Sequence, residues 1–210
     1  MWRLSDTDVL LAQDPSFSRL SFSLYDGNEV IYLDGCKFSF EGKGVGFEQV
    51  YQASRVIARE YFSKLCCDYG VNEKIFIKKI FSEIPPPTGI YSAGLYALDT
   101  FILDRLFTLN KGCDEIYTIP PSFLMTVHNT RKYKKSDSTA IAMYLMEEVL
   151  KGKLEFRYKG RMNADMAESF IFLMRAFVKY DVRGLGEEIS GAIPGLYSKT
   201  EKLLIRRGDK

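Results

Sequence analysis

Four carboxylates in this 210-residue chain stand where runs of regular pattern end or begin, the places where acids can be brought together. Asp14 closes the apolar run Val9, Leu10, Leu11, Ala12 and precedes Pro15. Glu83 closes a β-rich segment over 75–81, just before Pro85-Pro86-Pro87 halts any further ladder or helix. Asp165 and Glu168 lie three apart at the start of a helical pattern, so both point to one helix face. Gathered in one pocket, such anions need cations: like charges at ~4 Å repel by roughly 4 kcal/mol at an effective dielectric of 20. Carboxylate oxygens suit hard ions. A pair of Mg²⁺ or Mn²⁺ ions about 3.5–4 Å apart would activate water for in-line attack on a phosphodiester. Each acid also has an ordinary reading. Asp before Pro is a turn former, a strand-end glutamate can simply be solvated, and the helix macrodipole favours acids in first turns. The chemistry belongs to the four jointly.

Other chemistries lack material. His128 is the only histidine, which argues against a His-based triad or a multi-histidine metal site; a lone loop histidine more often makes a surface hydrogen bond than assists a leaving group. Cys36, Cys66, Cys67 and Cys113 form no Cys-x-x-Cys pair, and the adjacent Cys66 and Cys67 read as packing residues in a reducing compartment. The apolar runs are too short for a membrane-spanning helix, and residues 1–13 lack the features of a signal peptide, so an intracellular, soluble protein is expected. A 46% hydrophobic share with 14% aromatics argues against disorder, and a net charge of +2 leaves nucleic-acid binding to be judged from local clusters.

The elements that must position the acids follow from periodicity. Residues 9–14, 20–25 and 30–40 read as three strands, the second turn marked by Asp26-Gly27-Asn28. Residues 47–69 carry apolar side chains every three or four positions and stop at Gly70, a helix. A strand over 75–81 precedes a second helix over 91–109, whose Ala93, Gly94 and Ala97 permit close approach to a neighbour. Residues 115–119 form a short strand, 122–135 a loop, 136–150 a helix capped by Ser136, and 163–178 a helix capped by Asn163. A hairpin-rich start followed by βαβαβ crossovers demands an α/β domain with a mixed sheet between helices, its functional crevice at the carboxyl ends of strands.

In order, these motifs resemble RuvC-type Holliday-junction resolvases of the RNase H-like superfamily. Val9-Leu10-Leu11-Ala12-Gln13-Asp14-Pro15-Ser16 running into Leu20-Ser21-Phe22-Ser23-Leu24-Tyr25-Asp26 is similar to the family's opening hairpin. Ile80-Phe81-Ser82-Glu83-Ile84-Pro85-Pro86, then Ser92-Ala93-Gly94-Leu95, resembles its second acidic strand and following helix. Tyr117-Thr118-Ile119-Pro120-Pro121-Ser122, Lys134-Lys135-Ser136-Asp137-Ser138 and Asn163-Ala164-Asp165-Met166-Ala167-Glu168-Ser169 look like its fifth strand, a basic helix start and its C-terminal acidic helix. The resemblance covers about residues 8–180. It implies an RNase H-like mixed five-stranded sheet (a three-stranded antiparallel start, then βαβαβ) flanked by helices. It also implies a homodimeric endonuclease that resolves four-way junctions in branched DNA. Asp14, Glu83, Asp165 and Glu168 would hold two Mg²⁺ or Mn²⁺ ions, with Asp14 bridging. Gln13 departs from the usual aliphatic residue, the triple proline replaces a segment from which some relatives project an aromatic wedge, and Glu168 stands where many have Asp.

Residues 1–182 are expected to form the nuclease domain and 183–210 a basic extension, either an arm on DNA or a soluble end. Arg131, Lys132, Lys134 and Lys135, with Tyr133 interleaved, form the densest basic cluster and are the candidate phosphate contacts, Lys135 nearest the scissile group; a solvated loop is the alternative. Tyr51, Ile57 and Tyr61 on the first helix are candidates for a dimer interface. Two other readings compete. A sugar-kinase or actin-like phosphotransferase would need glycines after the first acid, and residues 14–19 contain none. A non-catalytic nucleic-acid-binding or interaction module would have no need of all four acids.

Overall fold

Alternation and turn chemistry build the first half of the molecule. The computed structural model describes residues 8–39, 46–84, 89–109, 113–130 and 134–206. Strand β1 (Val9–Asp14) is buried at every position, the pattern of a central strand covered on both faces. It turns into β2 (Arg19–Tyr25), where Ser16 Oγ accepts the Arg19 amide at 3.0 Å and closes the hairpin. β2 turns into β3 (Val30–Lys37) at Asp26-Gly27-Asn28: Gly27 takes φ +82°, and the Asp26 carboxylate accepts the Asn28 amide at 2.9 Å.

Helix α1 (Phe47–Tyr69) ends at Gly70, whose left-handed φ of +68° suits glycine. β4 (Ile77–Glu83), α2 (Gly89–Leu109) and β5 (Glu115–Ile119) complete two crossovers. Next come the short α3 (Ser122–Val127), α4 (Lys135–Tyr144) with a π-helical turn over Leu145–Val149, and β6 (Glu155–Tyr158). The long α5 (Ala164–Tyr180), α6 (Gly186–Ala192) and β7 (Lys202–Arg206) finish the described chain.

The sheet runs β6-β3-β2-β1-β4-β5-β7. β1, β2 and β3 are antiparallel neighbours, while β4 and β5 lie parallel to β1. This inner order, 3-2-1-4-5, is the RNase H-like arrangement the motifs implied. Two edge strands extend it: β6 joins β3 in parallel and β7 joins β5 antiparallel. Helices cover both faces. α1 and α2 bury Val50, Ile57, Tyr61, Leu98 and Ile102 against Leu11, Phe22 and Ile80. On the other face α5 buries Phe170, Phe172, Leu173 and Phe177 with Leu10, Tyr25 and Phe81. Gly94 sits where α2 meets α1; an added Cβ would fall 2.0 Å from Val50 Cγ1, and the Ser54 hydroxyl donates to the Gly94 carbonyl at 2.9 Å.

Several expectations change. α3 falls in a stretch read as loop: Pro120 and Pro121 stop β5, and a helical turn then begins as Phe123 N–H donates to the Pro120 carbonyl at 2.9 Å. α4 starts one residue earlier than Ser136 suggested. Its cap position is Lys134, because Asp137 Oδ2 accepts the Lys134 amide at 2.9 Å. Ile57 and Tyr61 belong to the core, 5% and 0% exposed, with Tyr61 set edge-on to Phe22, so they do not supply an interface; Val56 and Phe47 are the exposed apolar residues of α1. Cys67 is exposed rather than packed, and all four cysteines are free thiols.

The chain after α5 folds back onto the domain. Glu201, buried, takes a bidentate ion pair from Arg175 of α5 at 2.9 and 2.8 Å and a third contact from Lys179 at 2.7 Å. Arg206 of β7 pairs with Glu115 of β5 at 2.8 Å. Among the described residues, no helix is long and apolar enough to cross a membrane.

Candidate metal centre

Strand pairing brings the first two acids together. β1 and β4 run parallel with Gln13 opposite Ser82, so the next residue along each strand is Asp14 and Glu83. Both acids then point to the α5 face and their predecessors to the α1–α2 face. Asp14 and Glu83 stand side by side, close enough to share a hydrogen bond when one of them carries a proton.

α5 delivers the other two. Asn163 caps the helix, accepting the Met166 amide at 3.1 Å, and thereby fixes the first turn that carries Asp165. Glu168 follows on the same face, 4% exposed. Ligand oxygens of Asp14, Asp165 and Glu168 all lie within 4.8 Å of one another. Glu83 stands outside this threesome and joins it through Asp14. All four predicted acids therefore occupy one end of the sheet, at the carboxyl ends of β1 and β4.

The electrostatics are those of a site short of positive charge. Burial, then the charge of Glu83, holds the Asp14 carboxyl well above the ordinary range. Burial and the charge of Glu168 push Glu83 up to about 7, against the hydrogen bond from Asp14. Burial and the charge of Asp14 push Glu168 up to about 7 as well. Lys135, at the first turn of α4, reaches in and pairs with Asp165 Oδ1 at 2.7 Å, while Arg19 of β2 lies 3.9 Å from Asp165 Oδ2. Among the described residues, one close and one looser cation do not balance four carboxylates. The donor set fits the group the sequence implied: clustered, buried to half-buried, all-oxygen ligands suit Mg²⁺ or Mn²⁺.

Of the basic cluster, Lys135 lies in the site and Lys134 is exposed at the cap of α4. Arg131 and Lys132 lie outside the described residues. Sequence reasoning missed two kinds of partner. Arg19 gave no signal, since it begins a strand whose end was read from Leu20. Gln13, noted only as a departure, anchors the far face: its amide donates to Ser82 Oγ at 3.1 Å and to Asp99 Oδ1 at 3.2 Å, and Ser82 also donates to Asp99. Burial raises the Asp99 carboxyl to about 7, against those two hydrogen bonds. The two strand ends bearing Asp14 and Glu83 are thus tied to α2 from behind.

No protein-family model and no curated protein matches this chain. Among solved structures, Thermus thermophilus RuvC is similar over 93% of this chain and 99% of its own, at 11% identity and a TM-score of 0.45. The structure of T. thermophilus RuvC in complex with a Holliday junction substrate is similar over 94% and 99%, at 10% identity and a TM-score of 0.47. The yeast mitochondrial Holliday junction resolvase Ydc2 is similar over 88% of this chain and 83% of its own, at 12% identity and a TM-score of 0.45. What the site can do is set by its own side chains.

Proposed function

We propose that this protein is a divalent-metal-dependent endonuclease that hydrolyses phosphodiester bonds in branched DNA, with the four-way junction as substrate and a homodimer as working unit. The convergence of Asp14, Asp165 and Glu168 within 4.8 Å carries the reading, since it joins acids from two distant stretches of sequence, and Glu83, from a third, meets them through Asp14. Asp14, Asp165 and Glu168 would hold Mg²⁺ or Mn²⁺, with Glu83 completing the ligand set. Bound cations of this kind supply charge stabilisation and an activated water in phosphodiester hydrolysis. The chain's own groups do the rest. Asp14 and Glu83, on adjacent strands, fix the floor of the site, and Asn163 fixes the first turn that presents Asp165. Lys135 and Arg19, beside Asp165, are placed to meet a phosphate, and Arg131, Lys132 and Lys134 are the further candidate phosphate contacts from the sequence. A twofold dimer would address opposing strands of a symmetric junction.

The test is cleavage of four-way junctions, flaps, mismatched duplexes and RNA with Mg²⁺, by the wild type and by Asp14→Asn. Wild-type cleavage preferring the four-way junction is expected, with Asp14→Asn inactive yet still retaining the junction in a mobility-shift assay. Undiminished cleavage by purified Asp14→Asn would overturn the site, and junction binding without any cleavage by the wild type would make the protein a binding module.

A further inference from the structure

Glu168 is almost wholly enclosed, and the contacts behind it come from two other helices. Ser138, fully buried in α4, donates its hydroxyl hydrogen to Glu168 Oε1 at 3.3 Å. The same Ser138 oxygen lies 3.1 Å from Nε2 of His128, the half-buried residue that caps α3. A hydroxyl owns one hydrogen. While Ser138 gives it to the carboxylate, it can only accept from the imidazole, so the network assigns a hydrogen to Nε2. The result is a directed chain from imidazole N–H to serine oxygen, and from serine O–H to carboxylate. Apart from Ser138, the fully buried face of α4 contributes only Ala142, so this hydroxyl is the polar exception on that face.

We propose that His128 and Ser138 are a positioning pair for Glu168, holding one carboxylate oxygen so that the remaining lone pairs face Asp14 and Asp165. The proposal rests on reading the acidic group as a divalent-cation centre. Its physical basis is that a glutamate has three side-chain torsions to fix before its oxygens can serve as ligands, and an isolated buried carboxylate among like charges has every reason to turn away. Hydrogen bonds of this outer kind orient ligating carboxylates, and losing one typically weakens metal affinity or activity about 10–100-fold. The pair gathers α3, α4 and α5 at one point, so it also links the helix that carries Lys135 to the helix that carries the acids.

His128 is the chain's only histidine, so its ring gives a single set of imidazole signals in ¹⁵N-resolved NMR. Titrating the full-length wild type with Mg²⁺ is expected to move the Nε2 signal in step with the binding heat measured by calorimetry. Ser138→Ala and His128→Leu are expected to bind Mg²⁺ about 10-fold or more weakly. Ser138→Thr and His128→Gln, which keep a hydroxyl and an N–H donor, should restore the affinity. An imidazole signal unmoved at Mg²⁺ saturation, needing no variant, would overturn the pair. So would Ser138→Ala and His128→Leu that bind like the wild type, and in that case the metal centre itself stands. A wild type that takes up neither Mg²⁺ nor Mn²⁺ would overturn the centre and the pair together.

Discussion

Neutralising Asp14 should make the metal-free protein more stable while removing its response to metal. The ligand oxygens of Asp14, Asp165 and Glu168 lie within 4.8 Å, where two unit charges repel by about 3.5 kcal/mol at an effective dielectric of 20. Lys135 and shared protons absorb part of this, so the net relief in Asp14→Asn is about 1–3 kcal/mol at pH 8. The new amide can donate to Glu83, replacing the hydrogen bond that now needs a shared proton. In a chain of this size each kcal/mol moves Tm by about 2–4 °C, so Asp14→Asn in EDTA should melt about 2–12 °C above the wild type. Mg²⁺ at a hundred times its Kd should add about 2.7 kcal/mol to the wild type and little to the variant, offsetting the variant's advantage.

The pH dependence has a fixed sign. The carboxyls of Asp14, Glu83 and Glu168 all titrate above their ordinary range, Glu83 and Glu168 at about 7. Glu83 and Glu168 contribute stability that is present below the unfolded carboxylate range and is lost as pH rises through about 7, and Asp14, raised as well, contributes with the same sign. The advantage of the variant in EDTA should therefore vanish near pH 4 and grow as pH rises toward 8. Thermal melts in EDTA and in Mg²⁺ at those two pH values decide it. A variant less stable than the wild type in EDTA at pH 8, or one gaining as much from Mg²⁺, would refute the reasoning.

Two further perturbations probe the scaffold. Asp99, 6% exposed with its carboxyl raised to about 7, adds stability that fades as pH rises through that value; Asp99→Asn should flatten part of the loss seen between pH 5 and 8.5 in urea denaturation, and an unchanged slope would count against a protonated Asp99. Gly94→Ala would drive a Cβ to 2.0 Å from Val50 Cγ1, and overpacking of this kind costs about 1–3 kcal/mol despite alanine's better helix propensity. Adding Val50→Ala should recover part of that loss in the double variant, as read by denaturant midpoints.

What the sequence announced and what it concealed divide along physical lines. β1 and β4 were legible because apolar runs end abruptly at an acid and a proline, and α5 because its cap and apolar spacing agree. Residues 155–158 hid β6: only Phe156 of the four is even half buried, so no alternating face stands out. β7 hid behind its flanking Lys202 and Arg206, which read as an arm on DNA or a soluble end; its pairing with β5 is a long-range event that local pattern cannot announce. The acids could be nominated singly because each sits at an element boundary, and the adjacency of Asp14 and Glu83 needed only parallel β1 and β4. The Lys135–Asp165 contact and the Ser138 tie to Glu168 span thirty residues each, and depend on how α4 leans on α5. The Gln13–Asp99 contact similarly requires α2 to dock on the far face, so Gln13 registered only as an oddity.

The buried guanidinium of Arg175 binds the acid-bearing helix to a much later part of the chain. Its counter-charge, Glu201, lies 26 residues downstream. Parting the two charges would leave the guanidinium buried and unpaired, at a cost of about 3–5 kcal/mol, so the seating of the acid-bearing helix is tied to the segment that also closes the sheet's edge.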